Sequence, residues 1–213
     1  MTKNPKLLVK FGSPEHMETF HSKGHMFMNS LSYFRELEFD GFRSDKSEGL
    51  VYSRDADGES ITIDNVEYTV RNQIRFNEPD AKLKKIFSMY SVTQENMNSH
   101  DARLKDFGES AVVILNGNEF LKRIEAAAKE QDFSCEFGMV DYIEKKVHKG
   151  SMGPFRKYSE LLYQSEYRVL FHDRDEGALA DFSIGDIRDI SVLCSSDDAL
   201  NMTLTQRESP NQS

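Results

Sequence analysis

The chain has 213 residues, of which 38% are hydrophobic and 30% are charged, a composition typical of a globular rather than a disordered protein. Its net charge of −9 argues against a broad nucleic-acid surface with many phosphate contacts, although a local basic groove is still compatible with it. No apolar stretch approaches the roughly 20 residues of a membrane helix, and two cysteines are too few for a disulfide framework. Residues 1–5 are polar with no apolar segment behind them, so we expect no secretion leader. We therefore expect a cytoplasmic protein without membrane contact.

The N-terminal part of the sequence predicts the order strand, helix, strand, helix. Residues 7–11 (LLVKF) are apolar enough for the first strand. Residues 13–24 begin with Ser-Pro, which suits a capped helix start, and end with glycine, which suits a helix end. Residues 25–29 are predicted as the second strand. In residues 30–37 a capping serine precedes apolar residues at helical spacing.

The remainder of the sequence predicts mostly short strands, one clear amphipathic helix at 118–130 and a charged loop at 39–49. A shorter helix is expected at 153–163 and another within 94–107. The predicted strands are 60–63, 66–70, 86–92, 111–115, 136–143, 166–171, 180–184, 187–193 and 200–204. These elements indicate an α+β protein with a single domain over residues 1–204 and a disordered tail at 205–213.

Several common catalytic and binding motifs are missing from the sequence. It contains no dinucleotide-binding glycine motif, P-loop, zinc-protease helix, serine-hydrolase elbow or paired C-x-x-C. His16, His21 and His25 are close in sequence, but Gly24 is expected to end the helix before His25 can stand one turn above His21. We therefore predict a surface histidine cluster and no metal site.

The segment Gln164-Ser165-Glu166-Tyr167-Arg168 carries the strongest chemical signal. If it is a strand, Gln164, Glu166 and Arg168 lie on one face and the aromatic and aliphatic residues lie on the other. The polar face is then available to a cleft. The alternative is a half-exposed strand with a solvated Glu–Arg ion pair, which needs no function.

The layout of this segment and the N-terminal elements resembles the ADP-ribosyltransferase superfamily. The resemblance consists of a first strand with a polar residue, Lys10, a strand-to-helix segment carrying Tyr33, and the late Gln164-Ser165-Glu166. The chain is also similar to an uncharacterised bacterial and phage family with a late [EQ]-x-E-[YW]-R motif. The superfamily has arginine or histidine on the first strand, where this chain offers Lys10, and the stretch Ser30-Leu31-Ser32 only loosely matches its S-T-S.

This resemblance implies split β-sheets flanked by short helices around a bound NAD, which is a substrate and not a resident cofactor. Glu166 is then the catalytic carboxylate beside a ribosyl cation, and Gln164 orients the acceptor. Lys10, Ser30 and Tyr33 are the NAD-binding candidates, with Tyr33 stacking on nicotinamide. A core or rim position for Tyr33 is equally compatible with the sequence.

The resemblance further implies transfer of ADP-ribose to a protein or nucleic-acid acceptor by a toxin or phage-defence effector, with an antitoxin as a possible partner. Two other functions stay open: a non-catalytic interaction module on the same fold, and a nucleotide or NAD glycohydrolase. Charged residues that could border the acceptor site are Arg35, Arg43, Asp45, Glu48, His100 and Arg103.

Overall fold

The computed structural model describes residues 5–37, 46–145 and 150–203. Four α-helices and fourteen strands are formed within these ranges. The helices are α1 (Pro14–Lys23), α2 (Leu31–Glu36), α3 (Gly117–Glu130) and α4 (Ser196–Leu200), with 3₁₀-helices at Ala102–Phe107 and Ser159–Gln164. The strands are β1 (Leu7–Gly12), β2 (Asn29–Ser30), β3 (Leu50–Asp55), β4 (Ser60–Ile63), β5 (Val66–Thr69), β6 (Gln73–Asn77), β7 (Lys84–Val92), β8 (Ser110–Ile114), β9 (Ser134–Met139), β10 (Asp141–Ile143), β11 (Gly150–Ser151), β12 (Arg156–Tyr158), β13 (Glu166–His172) and β14 (Ser191–Ser195).

A seven-stranded antiparallel sheet forms the centre of the fold. Its strand order is β14-β8-β1-β7-β13-β9, and β2 also pairs with β7. Three smaller sheets are formed by β10 with β12, by β11 with β3 and β6, and by the hairpin of β4 and β5. The predicted α+β class is confirmed, whereas its ADP-ribosyltransferase-like identity stays a prediction. No helix in the described ranges is long and apolar enough to cross a membrane.

The central sheet opens along one edge of β7. Strand β1 pairs with the end of β7, where Val9 is opposite Tyr90. Strand β2 pairs with its beginning, where Asn29 is opposite Ile86. The β7 residues between these two registers face the opening between β1 and β2, and this opening positions the site described below.

Both faces of the central sheet are covered by apolar side chains. Helices α1 and α3 contribute Phe20, Phe120 and Ile124 to the larger core on one face. The first 3₁₀-helix and α4 contribute Leu104 and Ala199 to a second cluster on the other face. A strand in the middle of this sheet is therefore buried on both sides.

The predicted helix ends of the N-terminal part are confirmed. Ser13 caps α1, and Gly24 ends it in the left-handed conformation with φ 61°. Ser30 caps α2 by accepting a hydrogen bond from the backbone of Tyr33. The clear helix at 118–130 is also confirmed, as α3.

Other predicted element bounds are wrong. The second strand is only Asn29–Ser30, because His25 and Met28 make isolated bridges to a distant loop and not a ladder. The helix predicted at 153–163 is replaced by β12 and a 3₁₀-helix. Residues 136–143 fall in two strands, residues 180–184 lie in no strand, and Leu200 ends α4.

Some predictions fall on residues outside the described ranges. These include Arg43 and Asp45, most of the loop predicted at 39–49, and the predicted tail at 205–213.

Candidate functional site

A cleft of about 670 Å³ lies where the central sheet opens between β1 and β2. It brings together four of the five residues predicted from the resemblance, although they come from opposite ends of the chain: Lys10, Tyr33, Gln164 and Glu166. Other charged and aromatic residues of the lining include Phe11, His16, Phe27, Glu48, Tyr90, Lys157 and Arg168.

The polar face of β13 is buried and not half-exposed. Strand β13 has β7 on one side and β9 on the other, so no edge of it faces water. Glu166 is 4% exposed and Arg168 is 0% exposed. The alternative of a solvated Glu–Arg pair is therefore wrong, because both partners lie at the buried floor of the cleft.

Arg168 joins two carboxylates in this floor. Its Nε atom donates to Glu166 Oε1 at 2.6 Å. Its two terminal nitrogens donate to the two oxygens of Glu48 at 2.8 and 2.6 Å. This bidentate contact fixes the guanidinium and carboxylate groups relative to each other. A further hydrogen bond runs to the carbonyl of Pro154. Burial lowers the pKa of Arg168, but the two carboxylates outweigh burial and hold this pKa well above its ordinary value.

Lys157 approaches the same carboxylates from β12. Its Nζ atom lies 2.8 Å from Glu166 Oε2 and 3.9 Å from Glu48 Oε2. Burial alone would raise the pKa of Glu166, but the charges of Arg168 and Lys157 outweigh it and hold this pKa well below its ordinary value. Glu166 is therefore ionised at neutral pH, in a network of two cations and two carboxylates.

Gln164 reaches the cleft from the end of a 3₁₀-helix and not from the strand predicted for it. The chain turns at Ser165, which has a φ of 38°, and β13 begins only at Glu166. Ser91 and Asn96 hold this turn through hydrogen bonds to Ser165. The Gln164 side chain accepts a hydrogen bond from Lys157 Nζ at 2.9 Å, which ties it to the charge network.

Lys10 stands at the opening of the sheet. Its Nζ atom donates to the backbone carbonyl of Ser88 at 2.7 Å, within the part of β7 that lies between β1 and β2. The same ammonium lies 4.2 Å from the centre of the Phe87 ring. It thus places a positive charge in the lining of the cleft, against an aromatic ring.

Ser30 does not belong to the described cleft lining. Its hydroxyl is buried, lies 2.9 Å from that of Ser32 and accepts a hydrogen bond from the Tyr33 backbone at 3.2 Å. The contact of Ser30 with NAD stays a prediction. Ser30 fixes the start of α2 and so the position of Tyr33.

Two exposed aromatic rings flank the mouth of the cleft. Tyr33 is 45% exposed and Phe27 is 48% exposed, and both line the cleft. Phe27 is not among the site residues predicted from the sequence. Its position two residues before β2 was the available signal, because β2 forms one side of the opening.

The charged residues predicted to border the acceptor site have separate positions. Glu48 belongs to the charge network, and Arg35 lies 3.7 Å from Glu36 without joining the described lining. Arg103 packs 3.6 Å above the Tyr163 ring and pairs with Asp101. His100 contacts Tyr90, whose hydroxyl is 2.9 Å from His100 Nδ1.

Within the described residues, no group of three or more histidine, cysteine, aspartate or glutamate side chains could hold a metal ion. His16 and His25 line the cleft, and His25 contacts the carbonyl of Ala180.

No family model, no curated protein and no solved structure matches this chain. The function is therefore inferred from the geometry and charges of the cleft.

Proposed function

We propose that the protein is an ADP-ribosyltransferase-like enzyme that releases nicotinamide from NAD in this cleft and transfers ADP-ribose to a macromolecular acceptor. The observation that carries the proposal is the convergence of Lys10, Tyr33, Gln164 and Glu166 on one cleft. The size of the cleft, about 670 Å³, falls in the range of roughly 300–1,000 Å³ that is usual for small-molecule sites.

Glu166 is suited to stabilise a ribosyl cation. Cleavage of the nicotinamide–ribose bond places positive charge on the ribose ring, and a fixed carboxylate in a site shielded from water stabilises that charge strongly. Glu166 is ionised, and Arg168 holds it at 2.6 Å, so that its carboxylate needs little reorganisation as the charge develops. Gln164, tied to Lys157, orients the incoming acceptor beside it.

The other wall of the cleft supplies groups for the flat and the anionic parts of NAD. Tyr33 and Phe27 offer exposed rings on which nicotinamide or adenine can stack. Lys10 contributes a compact positive charge for a phosphate, without the planar two-pronged contact that arginine would make. Together these residues account for both ends of the dinucleotide.

A non-catalytic interaction module is the second candidate. Both oxygens of Glu166 already contact cations, Oε1 with Arg168 and Oε2 with Lys157. A carboxylate engaged in this way can serve the fold alone, without meeting a substrate. This candidate predicts a cleft that accepts a ligand but leaves the nicotinamide–ribose bond intact.

Incubation of the purified protein with NAD separates these functions. One preparation of NAD carries its label in nicotinamide and the other in adenosine, and each is tested with cell protein, RNA and buffer alone. Release of nicotinamide with transfer of the adenosine label to protein or RNA supports the proposed transferase. Release with free ADP-ribose as the only product indicates a glycohydrolase, and no release in any mixture contradicts both enzymatic functions.

Replacement of Tyr33 by alanine is expected to weaken NAD binding about 5- to 30-fold, because loss of a stacking ring costs roughly 1–2 kcal/mol. Isothermal titration calorimetry measures this change directly. Tyr68→Ala is the matched control, since Tyr68 is 50% exposed but lies on the β4–β5 hairpin and not in the cleft lining. Equal affinity of the Tyr33→Ala and Tyr68→Ala variants would show that Tyr33 does not contact NAD.

A further inference from the structure

Tyr90 is placed directly opposite Glu166 in the central sheet. The antiparallel pairing of β7 with β13 aligns these two residues. Directly opposed residues point to the same face, with Cβ atoms roughly 4.5–5.5 Å apart. The base of the Tyr90 side chain therefore lies beside that of Glu166, and both side chains line the cleft in which the ribosyl cation is proposed to form.

His100 contacts the Tyr90 side chain. The Tyr90 hydroxyl and His100 Nδ1 are 2.9 Å apart, and the two rings meet edge to face with centroids 5.6 Å apart. Tyr90 is 6% exposed, whereas His100 is only half-buried. The pair thus connects the floor of the cleft to solvent through one hydrogen bond.

We propose that Tyr90 removes the proton of an acceptor hydroxyl during ADP-ribose transfer, and that His100 takes up the proton of Tyr90. This inference rests on the proposed function and assigns the chemistry of the acceptor. The nicotinamide–ribose bond breaks, and nicotinamide leaves as a neutral molecule with the bonding electron pair. The acceptor oxygen forms the new bond to the ribose carbon. The proton of the acceptor hydroxyl passes to the Tyr90 oxygen while the Tyr90 proton passes to His100 Nδ1. His100 then releases this proton to water.

The protonation states of both residues agree with this direction of transfer. Burial, with a smaller contribution from Asp101, raises the pKa of Tyr90 to about 12, so the phenol keeps its proton at neutral pH. In the tautomer of His100 whose Nδ1 is unprotonated, the phenol is the donor of the hydrogen bond between them. Burial lowers the pKa of His100, so its imidazole is neutral at neutral pH and can accept. The lone pairs of the phenol oxygen remain to accept from an acceptor O–H.

This arrangement suits an acceptor that carries a proton, such as a hydroxyl compound. A hydroxyl must lose its proton to attack efficiently, and a positioned base accelerates such a step about 10²- to 10⁴-fold. A carboxylate acceptor has no proton to lose at neutral pH and gains nothing from the pair. Water, an alcohol, serine and a ribose hydroxyl share the required O–H group.

The test measures nicotinamide release by the wild type, Tyr90→Phe and His100→Gln, with water, methanol or azide as the acceptor. Water and methanol carry the proton that the pair would remove, whereas azide is an anion without one. Tyr167→Phe is the matched control, because Tyr167 is 7% exposed and belongs to the core on the opposite face. Thermal unfolding checks that every variant is folded.

We expect both variants to lose about 10²-fold or more of the rate with water and methanol, and azide to restore most of the loss. Tyr167→Phe should retain the wild-type rate. If Tyr90→Phe and His100→Gln release nicotinamide within about threefold of the wild-type rate with water and methanol, the inference is overturned but the proposed function is not. A loss in folded variants that azide does not relieve would also overturn it, by indicating a structural role. If the wild type releases no nicotinamide with any acceptor, the proposed function fails and the inference fails with it.

Discussion

Replacement of Glu166 by glutamine is expected to lower the rate of nicotinamide release from NAD by about 10²- to 10³-fold, the usual loss when one charge-stabilising group is removed from a transition state. Glutamine keeps the shape of the side chain but cannot carry the negative charge that faces the ribosyl cation. Binding of NAD should change far less than the rate, because the lost interaction forms mainly in the transition state.

The matched control for this variant is Glu136→Gln. Glu136 is on the neighbouring strand β9, is 60% exposed and contacts His172 outside the described cleft lining. It should release nicotinamide at the wild-type rate. A folded Glu166→Gln protein with wild-type activity would exclude Glu166 as the catalytic carboxylate.

Replacement of Arg168 by methionine is expected to reduce the free energy of unfolding by about 3–5 kcal/mol, the usual cost of removing one partner from a buried ion pair. Methionine fills similar space but leaves Glu48 and Glu166 buried with Lys157 as their remaining cation in the described network. Chemical denaturation followed by circular dichroism measures the change.

A second substitution tests the electrostatic origin of that loss. Adding Glu48→Gln to Arg168→Met should recover part of the stability, because Glu166 then has Lys157 to itself at 2.8 Å. Arg174→Met is the control, since its pair with Asp132 is exposed and should contribute little. A double variant no more stable than Arg168→Met would show that the loss comes from packing and not from unpaired charge.

The sequence was informative where local chemistry decides the structure. Ser13 with Gly24, and Ser30 before α2, define helix ends through hydrogen bonds and backbone conformation that involve only neighbouring residues. The apolar periodicity of α3 is likewise local. These elements could be predicted without knowledge of the tertiary fold.

The buried network could not be predicted in the same way. The alternation in β13 is the same whether its polar face meets water or the interior, and burial follows from the pairing of β13 with both β7 and β9. Glu48 and Lys157 come from loops and a short strand whose approach to Arg168 is a tertiary contact. The sequence therefore indicated Glu166 and its neighbour Arg168, but not that Lys157 and Glu48 join them in one buried network.

The Tyr90–His100 pair was missed for a related reason. Tyr90 lies in an apolar strand, where an aromatic residue is ordinarily a core residue, and His100 lies in the polar segment that follows. Only the register between β7 and β13 places Tyr90 opposite Glu166. Strand register depends on the whole sheet and is not encoded in either residue.

Hydrogen–deuterium exchange with and without NAD tests most directly whether the opening of the central sheet is the NAD site. We predict that NAD slows exchange in residues 25–36, which carry Phe27 and Tyr33, and in the turn from Gln164 to Glu166. A second cleft of about 1,000 Å³, lined by residues that include Asn116, Asp141 and Tyr142, provides the internal comparison. Protection confined to that second cleft, or no protection at saturating NAD, would contradict the account.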